Sequence, residues 1–323
     1  MHKHFYNIIK NICLEGRAQA DWFCQGVKYL TPEDIPCNIS DHRPITCMYD
    51  LYKLTTECVT QFMQHEVERR GLLADNQLGT VRRVQGAKEQ AMLNLSLNKE
   101  HRHLLKSTWI DVKKAFDFID HKYLVECISK LGFPKWIPCF VKEITSKWSL
   151  DVRAGPESII NKRVNKGILQ GDSPLLFVLC INPLSRRLNE RYPKVSIHAE
   201  KISHATNHLL FIDDLKLLAT NSTVMGDMVK ETESFFKAIK LGINREKSAT
   251  NNSQCKNTTT ILDGTGVYKY LGIIEDHSSN IMRESFEKVR RELLARVNRL
   301  CESNLNLKNL FKAINKHAIS LVN

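Results

Sequence analysis

The stretch that most constrains this chain is His208-Leu209-Leu210-Phe211-Ile212-Asp213-Asp214-Leu215-Lys216-Leu217-Leu218-Ala219. Two adjacent carboxylates sit between two short apolar runs, the pattern of two buried strands joined by a tight turn. The apolar flanks draw Asp213 and Asp214 toward the core, where like charges repel unless a cation stands between them. Mg²⁺ suits such a pair, since it binds through one or two carboxylates plus substrate phosphates. An isolated Asp-Asp is more often a plain turn, so the rest of the chain has to decide.

The chain has 323 residues, enough for one large or two ordinary domains, with 42% hydrophobic and 25% charged side chains, as in soluble globular proteins. Its longest apolar run, residues 175–181, is too short to span a bilayer, and no secretory h-region opens the sequence. Ten cysteines form no C-x-x-C pair and no zinc-ligand spacing. Reduced thiols point to an intracellular protein of cytoplasm or nucleus, neither secreted nor membrane-bound. The net charge of +12 calls for a polyanionic partner such as nucleic acid. The surplus is uneven: residues 1–50 hold five basic side chains against six acids, whereas nine face four from Met282 onward.

Residues 1–50 read as irregular, broken by Pro32, Pro36 and Pro44. Leu51, Leu54, Cys58 and Phe62 then recur at helical spacing, and a weaker helical stretch covers 76–98. Residues 107–112 read as a strand ending on Asp111, and Asp120 as the N-cap of a helix with Leu124, Cys127, Ile128 and Leu131 on one face. Strand-like residues fill 150–168. Ser173-Pro174 opens a helix bearing Phe177, Ile181, Leu184 and Leu188, kinked at Pro183. Met225, Met228, Phe235 and Ile239 trace another helix, 267–274 one strand, and Phe286, Val289, Leu293, Val297 and Leu300 a basic amphipathic helix. Strands and helices alternate without a strict βαβ pattern, which indicates α+β.

Asp111, followed by Lys113-Lys114-Ala115-Phe116-Asp117, is well placed to be a third carboxylate beside Asp213 and Asp214. Three converging acids are what two divalent ions need for in-line phosphoryl transfer. Between them runs Lys166-Gly167-Ile168-Leu169-Gln170-Gly171-Asp172-Ser173, a glycine-bearing loop entering a helix N-terminus that offers N–H groups to a base or phosphate.

Together these motifs resemble the reverse transcriptase domain of non-LTR (LINE-type) retrotransposons. Trp109 to Asp117 with His121 is similar to that family's first catalytic motif, and Gly167 to Ser173 with Asn182-Pro183-Leu184-Ser185 to its template and nucleotide motif. Phe211-Ile212-Asp213-Asp214 looks like its aromatic-x-Asp-Asp hairpin; Gly242-Ile243-Asn244 with Lys247, then Tyr268-Lys269-Tyr270-Leu271-Gly272-Ile273, match the two motifs that follow. Upstream, Arg43-Pro44-Ile45-Thr46 with Leu51-Tyr52-Lys53 resembles the fingers segment, and the order agrees from about residue 20 to 275.

The resemblance implies an α+β right-handed polymerase: fingers-like region 1–105, palm 106–275 with some fingers elements interleaved, and the start of a thumb-like helical region at 276–323. The implied activity is RNA-directed DNA polymerisation by two Mg²⁺ ions, with Mn²⁺ as substitute. RNA template, DNA primer or RNA–DNA hybrid, and deoxynucleoside triphosphates are the implied partners. Asp111, Asp213 and Asp214 would hold the metals, and Lys247 would sit near the leaving pyrophosphate, able to donate a proton. Phe116 would exclude a ribose 2′-OH; Gln170 and Gly171 would line nucleotide and template; Arg43 would contact the triphosphate. Tyr268, Tyr270, Leu271 and Gly272 would grip the primer.

Two departures stand out. The family usually has Leu-Ser between its Gln-Gly-Asp-Ser and the proline, whereas Ser173 meets Pro174 directly, and its Ile-Pro-Lys is here Thr31-Pro32-Glu33. With the short thumb, and no endonuclease or zinc-binding region, they lead to the expectation of a truncated or decayed copy. A catalytically inactive nucleic-acid-binding protein is therefore the alternative. A nuclease or RNA-templated RNA polymerase is a third class; the bulk of Phe116 disfavours the RNA polymerase.

Overall fold

The computed structural model describes residues 2–15, 21–32, 42–82, 84–154, 157–169, 173–199, 202–263, 266–278 and 280–321. In chain order its elements are α1 (His2–Glu15), β1 (Gln25–Pro32), β2 (His42–Met48), α2 (Asp50–Arg70), α3 (Gly86–His101), β3 (Lys106–Ile110), α4 (Ala115–Phe118), α5 (His121–Lys130) and α6 (Trp136–Lys147). There follow β4 (Ser149–Ala154), β5 (Glu157–Arg163), α7 (Pro174–Arg191), β6 (Val195–Ala199), β7 (Ile202–Thr206), β8 (His208–Phe211), β9 (Asp214–Ala219) and α8 (Ser222–Ala238). Last come β10 (Ala249–Thr250), β11 (Thr260–Ile261), β12 (Val267–Tyr270), β13 (Ile273–Asp276), α9 (Arg283–Cys301) and α10 (Leu307–Ala313). The mixture is α+β, as the sequence indicates.

A five-stranded sheet ordered β11-β10-β3-β9-β8 forms the centre, and a four-stranded sheet is ordered β2-β1-β4-β5. Side chains alternate across a strand, so the central sheet has two distinct faces. Leu210, Leu215 and Leu217 pack on one face with Phe177, Ile181, Leu184 and Leu188 of α7 and Met225 and Met228 of α8. Trp109, Leu209 and Leu218 pack on the other with Leu97 of α3 and Tyr270 of β12. Helix starts are set by capping: the Asp120 side chain accepts from the N–H groups of Lys122 and Tyr123, and Asn221 from those of Thr223 and Val224. α7 begins with Ser173 as cap and Pro174 in the first turn, and it runs on through Pro183.

Several elements differ from expectation. α1 occupies residues read as irregular, because the prolines lie only beyond it and Ile12 finds the core. α2 exists, but Leu54, Cys58 and Phe62 point outward; the buried stripe is Tyr52, Val59, Met63 and Val67, one residue round the helix. The described residues between 76 and 85 belong to no helix; α3 starts only at Gly86. α6 was not expected beside Pro134 and Pro138, yet Ile137, Phe140, Val141 and Ile144 bury one face. Residues 267–274 form a hairpin, turned at Leu271 (φ 46°) and Gly272 (φ 85°), not one strand. Two central residues with φ > 0 are what a type I′ turn requires.

His208, fully buried at the start of β8, ties that strand to α7. Its Nε2 lies 2.6 Å from the Ser185 hydroxyl and its Nδ1 2.7 Å from Asn207 Oδ1. A neutral ring that donates through Nδ1 and accepts at Nε2 satisfies both partners. Burial pushes its pKa down to about 3. The unfolded chain therefore binds a proton below about pH 6.5 that the fold refuses, and stability falls by about 1.4 kcal/mol per pH unit from there toward pH 3. Urea denaturation of the wild-type chain and His208→Gln at pH 8 and pH 5 should show their stability gap narrow by about 2 kcal/mol at the lower pH. A gap independent of pH would mean that the folded ring takes up its proton as readily as the unfolded one.

Candidate active site

The pairing of β3 with β9 assembles the site. Ile110 faces Leu215 in an antiparallel register, so the next position up sets Asp111 beside Asp214, at the end of the β8–β9 hairpin. Asp213 lies in the turn itself. That turn is strained: Ile212 has φ 57°, a left-handed conformation that a β-branched residue rarely adopts and that costs on the order of 1–3 kcal/mol. Residues 76–79 hold it in place. The Ile212 N–H donates to Gln77 Oε1 at 2.9 Å, and Gln77 Nε2 donates back to the Ile212 carbonyl at 3.3 Å. The Leu210 N–H donates to the Asn76 carbonyl and its carbonyl accepts from Leu78. Gly79 is required here, since a Cβ would lie 2.7 Å from the Ile212 nitrogen.

Burial raises the proton affinity of all three acids, and like-charge repulsion adds to it at Asp213 and Asp214. Asp214 is pushed up to about 6 by desolvation and then by the charges of Asp213 and Asp111. Asp213 is raised by burial and by Asp111. Asp111 is raised by burial, against a hydrogen bond from Asn244 and the positive charge of Lys247. The segment bearing Lys247 is fastened to Asp111 by backbone: the Asn244 N–H donates to the Asp111 carbonyl at 2.9 Å, and the Asp111 N–H to Ser248 Oγ at 3.0 Å. Tyr268 stacks on Trp109 with ring centroids 5.3 Å apart, and burial and then the charges of Asp111 and Asp214 raise its hydroxyl pKa.

Phe116 is half-buried in α4, one face stacked on Phe177 at 4.9 Å. Its carbonyl accepts from the Ile168 N–H, and the Ile119 carbonyl accepts from Gly167 at 2.7 Å, so the glycine loop is bonded directly to the motif that carries Asp111. Gly167, at φ 91°, has no room for a Cβ, which would stand 2.6 Å from the Asp117 carbonyl oxygen. Beside this loop opens a cleft of about 580 Å³ lined by Lys28, Lys114, Lys162, Arg163, Lys166 and Lys240. Asp120, at 2.9 Å, pairs with Lys240.

The structure thus brings Asp111, Asp213, Asp214, Lys247 and Tyr268 to one neighbourhood, with Phe116 in the short helix α4 that follows Asp111. Tyr270 is a buried core residue, its hydroxyl 2.7 Å from the Gln90 amide, while at the turn Leu271 is half-buried against the same core and Gly272 is exposed. Gln170 and Gly171 lie outside the described residues, as does the Arg43 side chain. Gln77 and the lysines of the cleft escaped the sequence reading. A lone glutamine in a loop carries no pattern, and the cleft lysines come from separate elements that meet only in the fold, Lys28 on β1 and Lys162 on β5 through β4.

Residues 33–274 match the family model described as reverse transcriptase (RNA-dependent DNA polymerase). This chain belongs to that family. The reverse transcriptase domain is 26% identical over 252 residues to the "Retrovirus-related Pol polyprotein from type-1 retrotransposable element R2" of Popillia japonica, covering 76% of this chain and 34% of that protein. It is 28% identical over 189 residues to the type-2 R2DM counterpart of Drosophila melanogaster, covering 56% and 17%. These relatives place it among the reverse transcriptase domains of non-LTR retrotransposons, and it spans about a third of the first relative's length. In fold it resembles apo telomerase from Candida tropicalis, with TM-score 0.56 at 12% identity, covering 99% of this chain and 62% of that one. Candida albicans telomerase, solved in complex with a TWJ fragment of telomeric RNA, gives TM-score 0.54 at 9% identity, covering 98% and 56%. The right-handed polymerase fold inferred from the motifs is the fold observed. No described helix is long and apolar enough to cross a membrane.

Reverse transcriptases generally use divalent metal ions. Among the described residues no group of three Asp, Glu, His or Cys side chains is placed to hold a metal ion by itself. The donor set nonetheless fits a hard cation completed by substrate oxygens, because three carboxylates repel one another where only positive charge would relieve them. The sign follows for stability. A carboxyl raised to about 6 penalises the folded state above that pH and ceases to do so below about 4. Asp214→Asn should therefore raise the metal-free melting temperature at pH 7.5, with a gain that shrinks toward pH 4. Solvent access to Asp214 keeps the gain modest. Added Mg²⁺ should stabilise the wild-type domain and leave the variant unmoved; scanning calorimetry reads both.

Proposed function

We propose that this domain is an RNA-directed DNA polymerase that extends a DNA primer on an RNA template from deoxynucleoside triphosphates. The observation that carries the reading is the register that sets Asp111 beside Asp214 under a strained, clamped turn. Asp111, Asp213 and Asp214 would hold two Mg²⁺ ions, or Mn²⁺ in their place, which supply a clamp on the attacking and leaving oxygens. Phe116, held against Phe177, presents its free face to the sugar and excludes a 2′-OH. Lys247 stands ready to protonate the leaving pyrophosphate. Arg43, Gln170 and Gly171 are assigned to nucleotide and template by their motifs. The lysine-lined cleft suits template or triphosphate oxygens. Tyr268 and the Leu271–Gly272 turn face the primer end, with Tyr270 anchoring them from within.

On this reading residues 1–105 with β4 and β5 act as fingers, 106–275 as palm, and 276–323 as the beginning of a thumb-like region. Nine described cysteines with free thiols suit an intracellular setting, cytoplasmic or nuclear. A second reading, binding without catalysis, is favoured by one observation: α7 starts at Pro174 without the two residues that the family inserts after Ser173.

Primer extension on an RNA template separates the readings. The wild-type domain should add deoxynucleotides in Mg²⁺ or Mn²⁺, and Asp213→Asn should reduce addition to background. A wild-type domain that binds the primed duplex yet adds nothing in either metal would leave only the scaffold reading. Phe116→Val should admit ribonucleotides about ten- to a hundredfold better, the range that relief of one steric clash supplies. An unchanged sugar preference would remove Phe116 from that role.

A further inference from the structure

The sheet face that carries the carboxylates also carries a buried charge. Trp109 faces Lys216 across β3 and β9, one step of the same face below Asp111 and Asp214. The Lys216 and Glu275 side chains are both 0% exposed, and Lys216 Nζ lies 2.8 Å from Glu275 Oε2 on β13. Lys216 Nζ also donates to Asn94 Oδ1 of α3 at 2.6 Å and stands over the Trp109 ring, 4.6 Å from its centroid. Asn94 Nδ2 donates in turn to Glu275 Oε1. All three ammonium protons thus have a destination, and both Glu275 oxygens have a partner.

Burying an ion pair seldom adds stability, because desolvation offsets the attraction and an apolar pair of similar size does as well. What it adds is uniqueness of position, since neither charge tolerates separation from its partner. The element so held needs it. Among the described residues the β12–β13 hairpin forms a sheet of two strands, extended by one bridge from Glu275 to Ile281, and would be marginal alone. Tyr270, buried among Leu97, Trp109 and Leu209, the Tyr268–Trp109 stack and the Tyr270–Gln90 contact dock β12, and the Lys216–Glu275 pair docks β13 on the same catalytic face.

We propose that Lys216 and Glu275, joined by Asn94, form a positioning latch that sets the β12–β13 hairpin, and with it the primer end, at a fixed height against Asp111 and Asp214. The placement of the primer rests on the polymerase reading above; the latch itself does not. Lys216 touches no substrate and acts only through the hairpin.

The test uses the whole chain and three variants: Lys216→Met, Glu275→Gln, and Lys216→Met combined with Glu275→Leu. Hydrogen exchange across 267–276 should accelerate at least tenfold in the single variants while β3 and β9 stay protected. Unchanged hairpin exchange would overturn the latch whether or not the domain polymerises. The double variant should regain the melting temperature of the wild type, because the apolar pair packs without charge. Its kcat for single-nucleotide addition should nevertheless stay at least tenfold low, with KM for the nucleotide unchanged. A purely structural role predicts that rate and stability recover together, and that result would also overturn the proposal. Should the wild-type chain add no nucleotide, the polymerase reading fails first, and preference for a primed duplex over unprimed RNA becomes the readout. The latch predicts that this preference drops about tenfold in the double variant; an unchanged preference counts against it.

Discussion

Like charges brought together under an apolar sheet are the constraint around which the domain is arranged. Burial makes each of Asp111, Asp213 and Asp214 a worse anion than it would be in water, and like-charge repulsion adds to this at Asp213 and Asp214. The chain must therefore spend packing elsewhere to keep them adjacent. Both faces of the central sheet are covered, by α7 and α8 on one side and by α3 with the β12–β13 hairpin on the other. The sheet does not shift to relieve the repulsion because every strand around it is pinned. Stability spent in one place to hold an unfavourable geometry in another is a common signature of a working site.

The same logic explains how the pieces of the site find one another across long stretches of chain. The glycine loop reaches the Asp111 motif by backbone bonds from Ile168 and Gly167, and the Lys247 segment by bonds to and from Asp111 itself. All but the bond to Ser248 Oγ are main-chain bonds, which depend little on side-chain identity beyond the space that Gly167 leaves open. Side chains then handle only what backbone cannot: charge, steric bulk and the clamp on the hairpin turn.

This division also accounts for what could be read in advance. Strongly patterned elements were legible: the apolar-flanked Asp-Asp hairpin, the capped α5 and the α7 stripe of Phe177, Ile181, Leu184 and Leu188 all stand where their spacing put them. The carboxylate set and its neighbours were legible through their motifs, because chemistry restricts residue type at fixed spacing. Ambiguous patterns misled. In α2 two stripes at four-residue spacing compete, and tertiary contacts favour Tyr52, Val59, Met63 and Val67 over Leu54 and Phe62. At 267–274 the apolar run has no turn-forming pair except Leu271-Gly272, and leucine conceals the left-handed position. Lys216 looked like one more polar residue in a strand; only its partner 59 positions later on β13 makes it a core residue.

The clamp of Gln77 on Ile212 has a consequence for judging copies of mobile elements. A copy is commonly considered intact when its catalytic acids survive. Here the acids depend on a turn that is unfavourable on its own and is held by an uncharged side chain 135 positions upstream, in a loop with no motif. A lineage could keep every aspartate and lose Gln77 or Gly79. It would retain the visible signature while the turn relaxed and the carboxylates drifted apart. An inventory of acids would therefore overcount the competent members of such a family, and the loop at 76–79 is where that count should be corrected.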